Sequence, residues 1–475
     1  MSSICQPTTK RLFFKNFKRR AYKRDQKTSG TAAIQRRSSG LIRLCFPGLI
    51  YPLRIVLKAK INRLEERPMT VKICTALAMS LALSLATACS QSRDNSLTQG
   101  SAQEEISVLS GATLIAQLDQ ATLSQKLAST GIVARNGAKI YRVSYNTFAP
   151  DDSSVQASGL IIVPDSQSPI FPWISLQHGT VAAKAEAPSL APNEGLAEAS
   201  QGFVAVVPDY LGYGDSADLL HPYIIEKSYV APLLDMMRAA REFAAAEKIN
   251  LGPLFLKGYS EGGYATLALQ KAIENDETEE FKIIASAPGA GPYDVDLTGT
   301  LTVQKAKVNP ANIPLLLLSY NYWLAGSSLP LSSIFVPSET NVTDALSGAY
   351  NVEQISQILP TDTYALFNQS FVEDFASDLP TIPAAKELHT LLKSQSLTGT
   401  AWAPKTQTRF YHCIDDEQIP VAVTEATTAE FKAMNAPVEA ILIPSPNPSK
   451  PYRHSACPAI FAPIQWFGQI LSGAI

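Results

Sequence analysis

Long apolar runs are missing from this chain. No stretch reaches the roughly 18–20 residues that cross a bilayer as a helix. Metal and nucleotide signatures are missing too: there is no H-E-x-x-H, no C-x-x-C, and no Walker or dinucleotide glycine pattern, so no metal and no cofactor is implied. Histidine is scarce, with five in 475 residues, which leaves few sources for imidazole chemistry. Acidic residues are almost absent from residues 1–68, which hold 17 Lys+Arg against Asp25, Glu65 and Glu66. The 46% hydrophobic content excludes a disordered or fibrous protein. The length allows one large α/β domain with an insertion, or two ordinary domains.

The formal net charge of −2 hides a split. After Cys89 the chain carries 22 basic and 39 acidic residues, a net charge of −17. A body this acidic repels phosphates, so no nucleic-acid partner is expected. The basic block alone could form an RNA-binding arm. The blander reading is that residues 1–68 do not belong to the native product.

That reading comes from the next stretch, MTVKICTALAMSLALSLATACS, beginning at Met69. A lone cation at Lys72, a charge-free run from Ile73 to Ala88 and small residues before Cys89 form a secretory signal over residues 69–88. A cysteine after the cleavage point resembles the lipobox of bacterial lipoproteins, although Ala86 stands where Leu is usual and Leu85 one step further away. The first expectation is therefore a lipid anchor on Cys89 holding the protein to a membrane in the bacterial cell envelope. Plain secretion is the second, and no export the third. Residues 89–130, rich in Ser, Gln and Ala, are expected to form a tether and one helix.

From Lys139 strand-like and helix-like segments alternate. Eight strand candidates are residues 139–148, 155–163, 171–178, 203–208, 253–258, 281–286, 408–413 and 437–443. Several are almost wholly apolar, as strands buried on both faces of a mainly parallel sheet are. Helical periodicity fills 229–246, 261–274, 420–434 and 458–471. The expectation is a three-layer α/β catalytic domain over residues 131–292 and 403–475. Residues 293–402, between strands six and seven, are too long for a loop and are expected to form a helical cap, with a second independent domain as the alternative. The apolar run 313–324 reads first as cap core. Its residues Leu315–Leu318, Tyr320, Tyr322 and Trp323 could instead line an acyl pocket.

The strongest chemical motif is Gly258-Tyr259-Ser260-Glu261-Gly262, a G-x-S-x-G between a strand and a helix. The context projects the Ser260 hydroxyl from a sharp turn, and glycines at 258 and 262 remove side chains that would clash there. A serine nucleophile needs a base, and the base an orienting acid. With this elbow the chain order is serine, acid, histidine. His454 follows the eighth strand candidate on a polar loop and is the candidate base, whereas His178, His389 and His412 read as structural. The acid follows the seventh candidate, where Asp415 and Asp416 are neighbours. Aligned on His412 and Pro420, hydrolase loops reading H-G-x-x-D-x-x-V-P put the acid on Asp416, and Asp415 stays as the alternative. The expected oxyanion donors are the N–H groups of Glu261 and of Thr180, in the turn Gln177-His178-Gly179-Thr180. Cys413 and Cys457 stand three residues from Asp416 and from His454, on loops that must meet, so a disulfide between them is expected; two free thiols are the alternative.

These residues carry a resemblance. GYSEGG, QHGT, VVPDYLGYGDS (206–216), HPY (221–223), the helix LLDMMRAAREF and the ending HCIDDEQIP…HSACP resemble the secretory-lipase-like branch of the α/β-hydrolases, over residues 140–472. The resemblance implies an α/β-hydrolase fold with a helical cap and a Ser260–Asp416–His454 triad. It also implies an enzyme that cleaves carboxylic esters, taking a small ester or a lipid as substrate. Cys413 departs from the glycine usual in that loop, which the disulfide would explain. A serine peptidase of the same fold and a non-catalytic surface lipoprotein are the rival readings.

Overall fold

The computed structural model describes residues 107–276, 278–324, 326–461 and 463–474. The basic segment 1–68, the expected signal 69–88 and the expected lipidation site at Cys89 lie outside the described residues.

A nine-stranded sheet organises the fold, with β1 (Leu109–Leu118), β2 (Gly137–Phe148), β3 (Ser154–Asp165), β4 (Phe171–Gln177), β5 (Val204–Pro208), β6 (Leu251–Tyr259), β7 (Ile283–Gly289), β8 (Thr408–Cys413) and β9 (Val438–Ile443). Its spatial order is β1-β2-β3-β5-β4-β6-β7-β8-β9. The strands from β4 to β9 pair in parallel, while β1, β2 and β3 form an antiparallel meander joined to β5. The expectation of eight strands is corrected by β1, which occupies part of the presumed tether. β1 is an edge strand, mostly exposed and broken by register shifts at Leu109/Gly111 and Leu114/Ala116, so no burial pattern announces it.

Side-chain alternation splits the core in two. In β5, Val204 and Val206 face one cluster while Ala205 and Val207 face the other; in β6, Leu254 and Leu256 oppose Phe255. The first face is covered by α3 (Glu226–Ala246) and α4 (Glu261–Asn275), through Leu233, Met237 and Leu267. The second is covered by α1 (Gln120–Lys126), α2 (Leu196–Ser200) and α14 (Pro463–Leu471), through Leu123, Leu196 and Phe467. α13 (Val421–Ala433) links β8 to β9. The last helix begins later than its sequence pattern suggests, because a short 3-10 turn at Cys457–Ala459 precedes it.

Between β7 and β8 lie helices only: α5 (Val295–Val303), α6 (Asn312–Trp323), α7 (Leu331–Ile334), α8 (Glu339–Ala345), α9 (Val352–Ile358), α10 (Thr363–Leu366), α11 (Gln369–Phe375) and α12 (Pro383–Gln395). No helix among the described residues is long and apolar enough to cross a membrane.

The sheet order fixes where a site can form. After β4 the chain steps to β5 on one side, then returns to β6 on the other. Loops leaving β4 and β6 therefore diverge and open a crevice at the carboxyl ends of the strands.

Candidate active site

β6 runs straight into α4 through Ser260, whose φ of 60° and ψ of −122° lie where a side chain is strained. Such a backbone costs about 1–3 kcal/mol and survives only when the surroundings hold it. Here the Ser260 N–H donates to the Gly289 carbonyl at 2.9 Å, and the Ser260 carbonyl accepts from the Tyr264 N–H at 3.2 Å. Close backbone approach demands the flanking glycine: a Cβ on Gly262 would stand 2.0 Å from the Gln177 carbonyl oxygen. That contact also sets the loop after β4 against the serine.

His454 and Asp416 arrive from the loops that follow β9 and β8. Ser260 Oγ lies 2.8 Å from His454 Nε2, and His454 Nδ1 lies 2.6 Å from Asp416 Oδ2. A carboxylate only accepts, so Nδ1 carries the ring proton and Nε2 is left to accept from the serine hydroxyl. All three residues are buried, whereas Asp415 is exposed; of the two neighbouring aspartates only Asp416 joins the chain. Its Oδ1 accepts from the N–H groups of Gln418 and Ile419 at 2.8 and 2.9 Å. Burial pushes the Asp416 carboxyl up, but hydrogen bonds and charge from His412 and His454 outweigh it and hold the group well below the usual carboxylate range.

Three groups around this chain are not singled out by the sequence. His412, fully buried, donates from Nε2 to the Ile419 carbonyl at 3.0 Å, bonds Thr424 Oγ1 at 2.7 Å, and lies 3.5 Å from Asp416. It braces the acid loop. Glu417 accepts from the His454 N–H at 2.9 Å, and the Tyr259 hydroxyl donates to the His454 carbonyl at 3.1 Å. Glu417 and Tyr259 are direct neighbours of Asp416 and Ser260 in the chain, and no spacing rule distinguishes them. Cys413 and Cys457 form a disulfide with Cα atoms 6.0 Å apart, tying the two loops together.

On the other side of Ser260, a Cβ on Gly179 would stand 3.8 Å from Ser260 Cβ, so Thr180 follows directly on the serine's neighbour. Thr180 Oγ1 bonds the Tyr223 hydroxyl at 2.9 Å. His178 bonds the Gly179 carbonyl at 2.7 Å and stacks on Tyr210 at 4.0 Å, bracing the turn. The Glu261 N–H belongs to the first turn of α4, where backbone donors have no partner inside the helix. His389 lies away from these groups, bonded to Asp296 and to the Phe375 carbonyl within the helical insertion.

A model of the prolyl oligopeptidase family matches residues 191–308. Among curated proteins, none matches the chain. Solved structures are similar over most of it. A hydrolase of Legionella pneumophila shares 24% identity at a TM-score of 0.67, covering 76% of this chain and 98% of its own. The rice cell wall degrading esterase LipA of Xanthomonas oryzae, in a ligand-bound form, shares 26% at 0.65, covering 74% and 94%. The chain has the α/β-hydrolase fold. Candida antarctica lipase A in its closed state shares the fold at 17% identity and a TM-score of 0.54, over 77% of this chain and 82% of its own. The family match and the esterase likeness together support a serine hydrolase.

In this hydrolase the helical insertion is laced to the acid loop. Lys305 Nζ donates to the Glu417 carbonyl at 2.7 Å, and Asn309 and Asn312 donate to Gln418 Oε1 at 3.0 and 3.3 Å. Beside these contacts lies a cavity of about 90 Å³ that opens to solvent. Its wall includes Val295, Thr298, Leu316, Leu317, Phe371 and Leu392 from the insertion and Glu417, Gln418 and Ile419 from the acid loop. In the apolar run 313–324, Ile313, Leu316 and the buried Leu317 line the cavity, whereas Leu315, Leu318, Tyr320, Tyr322 and Trp323 are not part of its wall; the Tyr320 hydroxyl donates to the Ile224 carbonyl at 3.0 Å.

Proposed function

We propose that the chain is an exported serine hydrolase that cleaves carboxylic esters. The observation that carries the reading is the unbroken hydrogen-bonded line from Ser260 Oγ through His454 to Asp416, on a serine held at a positive φ. His454 takes the Ser260 proton as the hydroxyl oxygen attacks the ester carbonyl carbon. The negative charge that develops on the carbonyl oxygen rests on the Glu261 and Thr180 N–H groups. The tetrahedral adduct collapses, His454 returns the proton to the departing alcohol, and an acyl-serine remains. Water, deprotonated by His454, then releases the acid. Asp416 stays ionised throughout and holds the imidazole in the tautomer that accepts from Ser260.

The apolar cavity beside the acid loop supports an ester with a hydrophobic acyl or alcohol portion. The likeness to an esterase that degrades the rice cell wall and to a lipase favours ester over amide substrates. Export is supported by the signal pattern at residues 69–88 and by the Cys413–Cys457 disulfide, since such bonds persist in oxidising compartments. A lipid anchor on Cys89 belongs to the same reading. The prolyl oligopeptidase family match favours a second reading, a peptidase acting on short peptides.

The test is a panel of p-nitrophenyl esters of increasing chain length beside an aminoacyl p-nitroanilide. The ester reading expects turnover of the esters, little of the anilide, and loss of both in Ser260→Ala. Ester turnover that survives Ser260→Ala defeats the assignment, and preferred anilide turnover moves the chain to the peptidases.

A further inference from the structure

The proton relay leaves one buried ionisable pair unused. The side chain of Glu261 turns back under the serine and is only 1% exposed. Its Oε1 accepts from His221 Nε2 at 2.8 Å and from the Tyr229 hydroxyl at 2.9 Å. The other ring nitrogen of His221, Nδ1, lies 2.7 Å from the Leu211 carbonyl oxygen. A carbonyl oxygen can only accept, so Nδ1 carries a proton. Nε2 and the carboxyl group then share one more. Burial pushes the Glu261 carboxyl up, but the charge and hydrogen bond of His221, the charge of His178 and the Tyr229 hydroxyl overcome that and hold it low, so Glu261 is the acceptor of the pair.

The surroundings of this pair grip both sides of Ser260. The Tyr210 hydroxyl donates to the His178 carbonyl at 2.9 Å, and the Tyr223 hydroxyl bonds Thr180 Oγ1 at 2.9 Å. Both contacts hold the turn that carries the Thr180 N–H. His221 and Tyr229 hold Glu261, which carries the other donor. One segment, residues 210–229, therefore sets both N–H groups. Its fit is tight at His221: Gly212 has a φ of 91°, and a Cβ there would stand 2.6 Å from His221 Cα.

The strain at Ser260 gives this grip a purpose. Relaxing the Ser260 backbone toward an ordinary region would rotate the Ser260–Glu261 peptide, and the Glu261 N–H with it. A side chain anchored from the same Cα resists that rotation. We propose that His221 is a positioning residue which, by pinning the buried Glu261 carboxylate, keeps the Glu261 N–H aimed at the oxyanion. The inference rests on the serine-esterase reading above.

The test uses the full chain with His221→Phe, His221→Gln and Glu261→Met. Each is assayed on p-nitrophenyl butyrate and against a trifluoromethyl ketone, whose adduct with Ser260 bears an oxyanion. Loss of one oxyanion donor costs roughly 100- to 1,000-fold in kcat, so a misaimed donor is expected to cost His221→Phe at least about 30-fold, with KM within about threefold. Affinity for the ketone falls by a similar factor, while inhibition by butyrate stays level. His221→Gln keeps an N–H directed at Glu261 and recovers most of the rate. Should His221→Phe fail to fold, the near-isosteric Glu261→Met, which keeps the backbone donor but can accept no hydrogen bond from His221 or Tyr229 of comparable strength, is expected to lose at least about tenfold in kcat with the same loss of ketone affinity. A folded His221→Phe or Glu261→Met with kcat within about threefold of the parent, or a loss confined to KM with ketone affinity intact, overturns the proposal. If the parent itself turns over no ester, it is the esterase reading that fails.

Discussion

Replacing both Cys413 and Cys457 by alanine separates the stability of the fold from the geometry of its site. The bond closes a loop across a sequence separation of 44 residues. Chain-entropy arithmetic for a loop of that length gives about 4 kcal/mol of stabilisation through the unfolded state. An unfolding entropy near 2 cal/mol/K per residue, over a folded unit of roughly 370 residues, converts this to about 5 °C in melting temperature. Both sulfurs are fully buried among Tyr411, Phe461 and their neighbours, so the two alanines leave small voids that add about 1 kcal/mol. A stable domain tolerates that loss and stays folded. The site does not escape. Asp416 lies three residues after one sulfur and His454 three before the other, so the Asp416–His454 bond loses its covalent brace and relies on hydrogen bonds, those of Glu417 and Tyr259 to the base loop and those of His412, Gln418 and Ile419 within the acid loop. The expected result is a melting temperature lowered by about 5–7 °C, and a kcat lowered by about tenfold at a temperature where the variant is fully folded. Calorimetry and ester assays on the same samples measure both. A double variant that melts within about 2 °C of the parent and keeps its full kcat would refute the claim that this bond holds the acid and base loops together.

Two further outcomes follow from the site. Asp416→Asn is expected to lower kcat by roughly 10,000-fold while leaving the fold intact, because an amide can present an N–H to Nδ1 and favour the wrong imidazole tautomer. The same variant tests linkage: a carboxyl held low in the folded state stabilises above its unfolded pKa of about 3.9, and the effect fades as pH falls from there toward the folded value. The stability deficit of Asp416→Asn, measured by urea unfolding, should therefore shrink between about pH 5 and pH 3, and a constant deficit would contradict the assigned ionisation. Gly262→Ala places a methyl 2.0 Å from the Gln177 carbonyl and 2.5 Å from that of His178, both backbone atoms, so it is expected to lower stability by about 2 kcal/mol or more and to lower kcat more than it raises KM. Gly468→Ala, in α14 with nothing within 4 Å, is the control and should be neutral or slightly stabilising.

The sequence disclosed those parts of the molecule that obey a local rule. Strands β3 to β8 carry apolar stretches because most of their side chains are buried, and Ser260 stands in a strand–turn–helix context with glycines where the backbone closes in. What stayed hidden follows no local rule. β1 pairs with β2 through its backbone but leaves most of its side chains exposed, so no burial pattern marks LSGATLIAQL. His412 reads as a core histidine and is one, yet its second contact reaches the acid loop only because Ile419 folds back over it. His221 is separated from Glu261 by 40 residues, and only the crossing of the segment after β5 over the start of α4 joins them.

That crossing bears on why a glutamate can follow the serine at all. A carboxylate beside the nucleophile, facing the substrate, would oppose the growing negative charge of the oxyanion. The fold turns this side chain away from the crevice and ties it to the His221 ring and the Tyr229 hydroxyl. The same contact makes it an anchor for the backbone donor it carries. A carboxylate left unpaired at this depth would instead cost several kcal/mol, or would take up a proton and lose its hold on His221. The identity of residue 261 is therefore bound to that of residue 221: changing Glu261 to a small neutral residue removes the burden of a buried charge but leaves the His221 ring with an N–H facing nothing. Changing both together to an apolar pair, His221→Phe with Glu261→Ala, removes the electrostatic conflict and leaves only the loss of aim. That double variant should fold better than His221→Phe alone and still turn over slowly. Full recovery of kcat in it would show that the pair serves only to cancel its own charges.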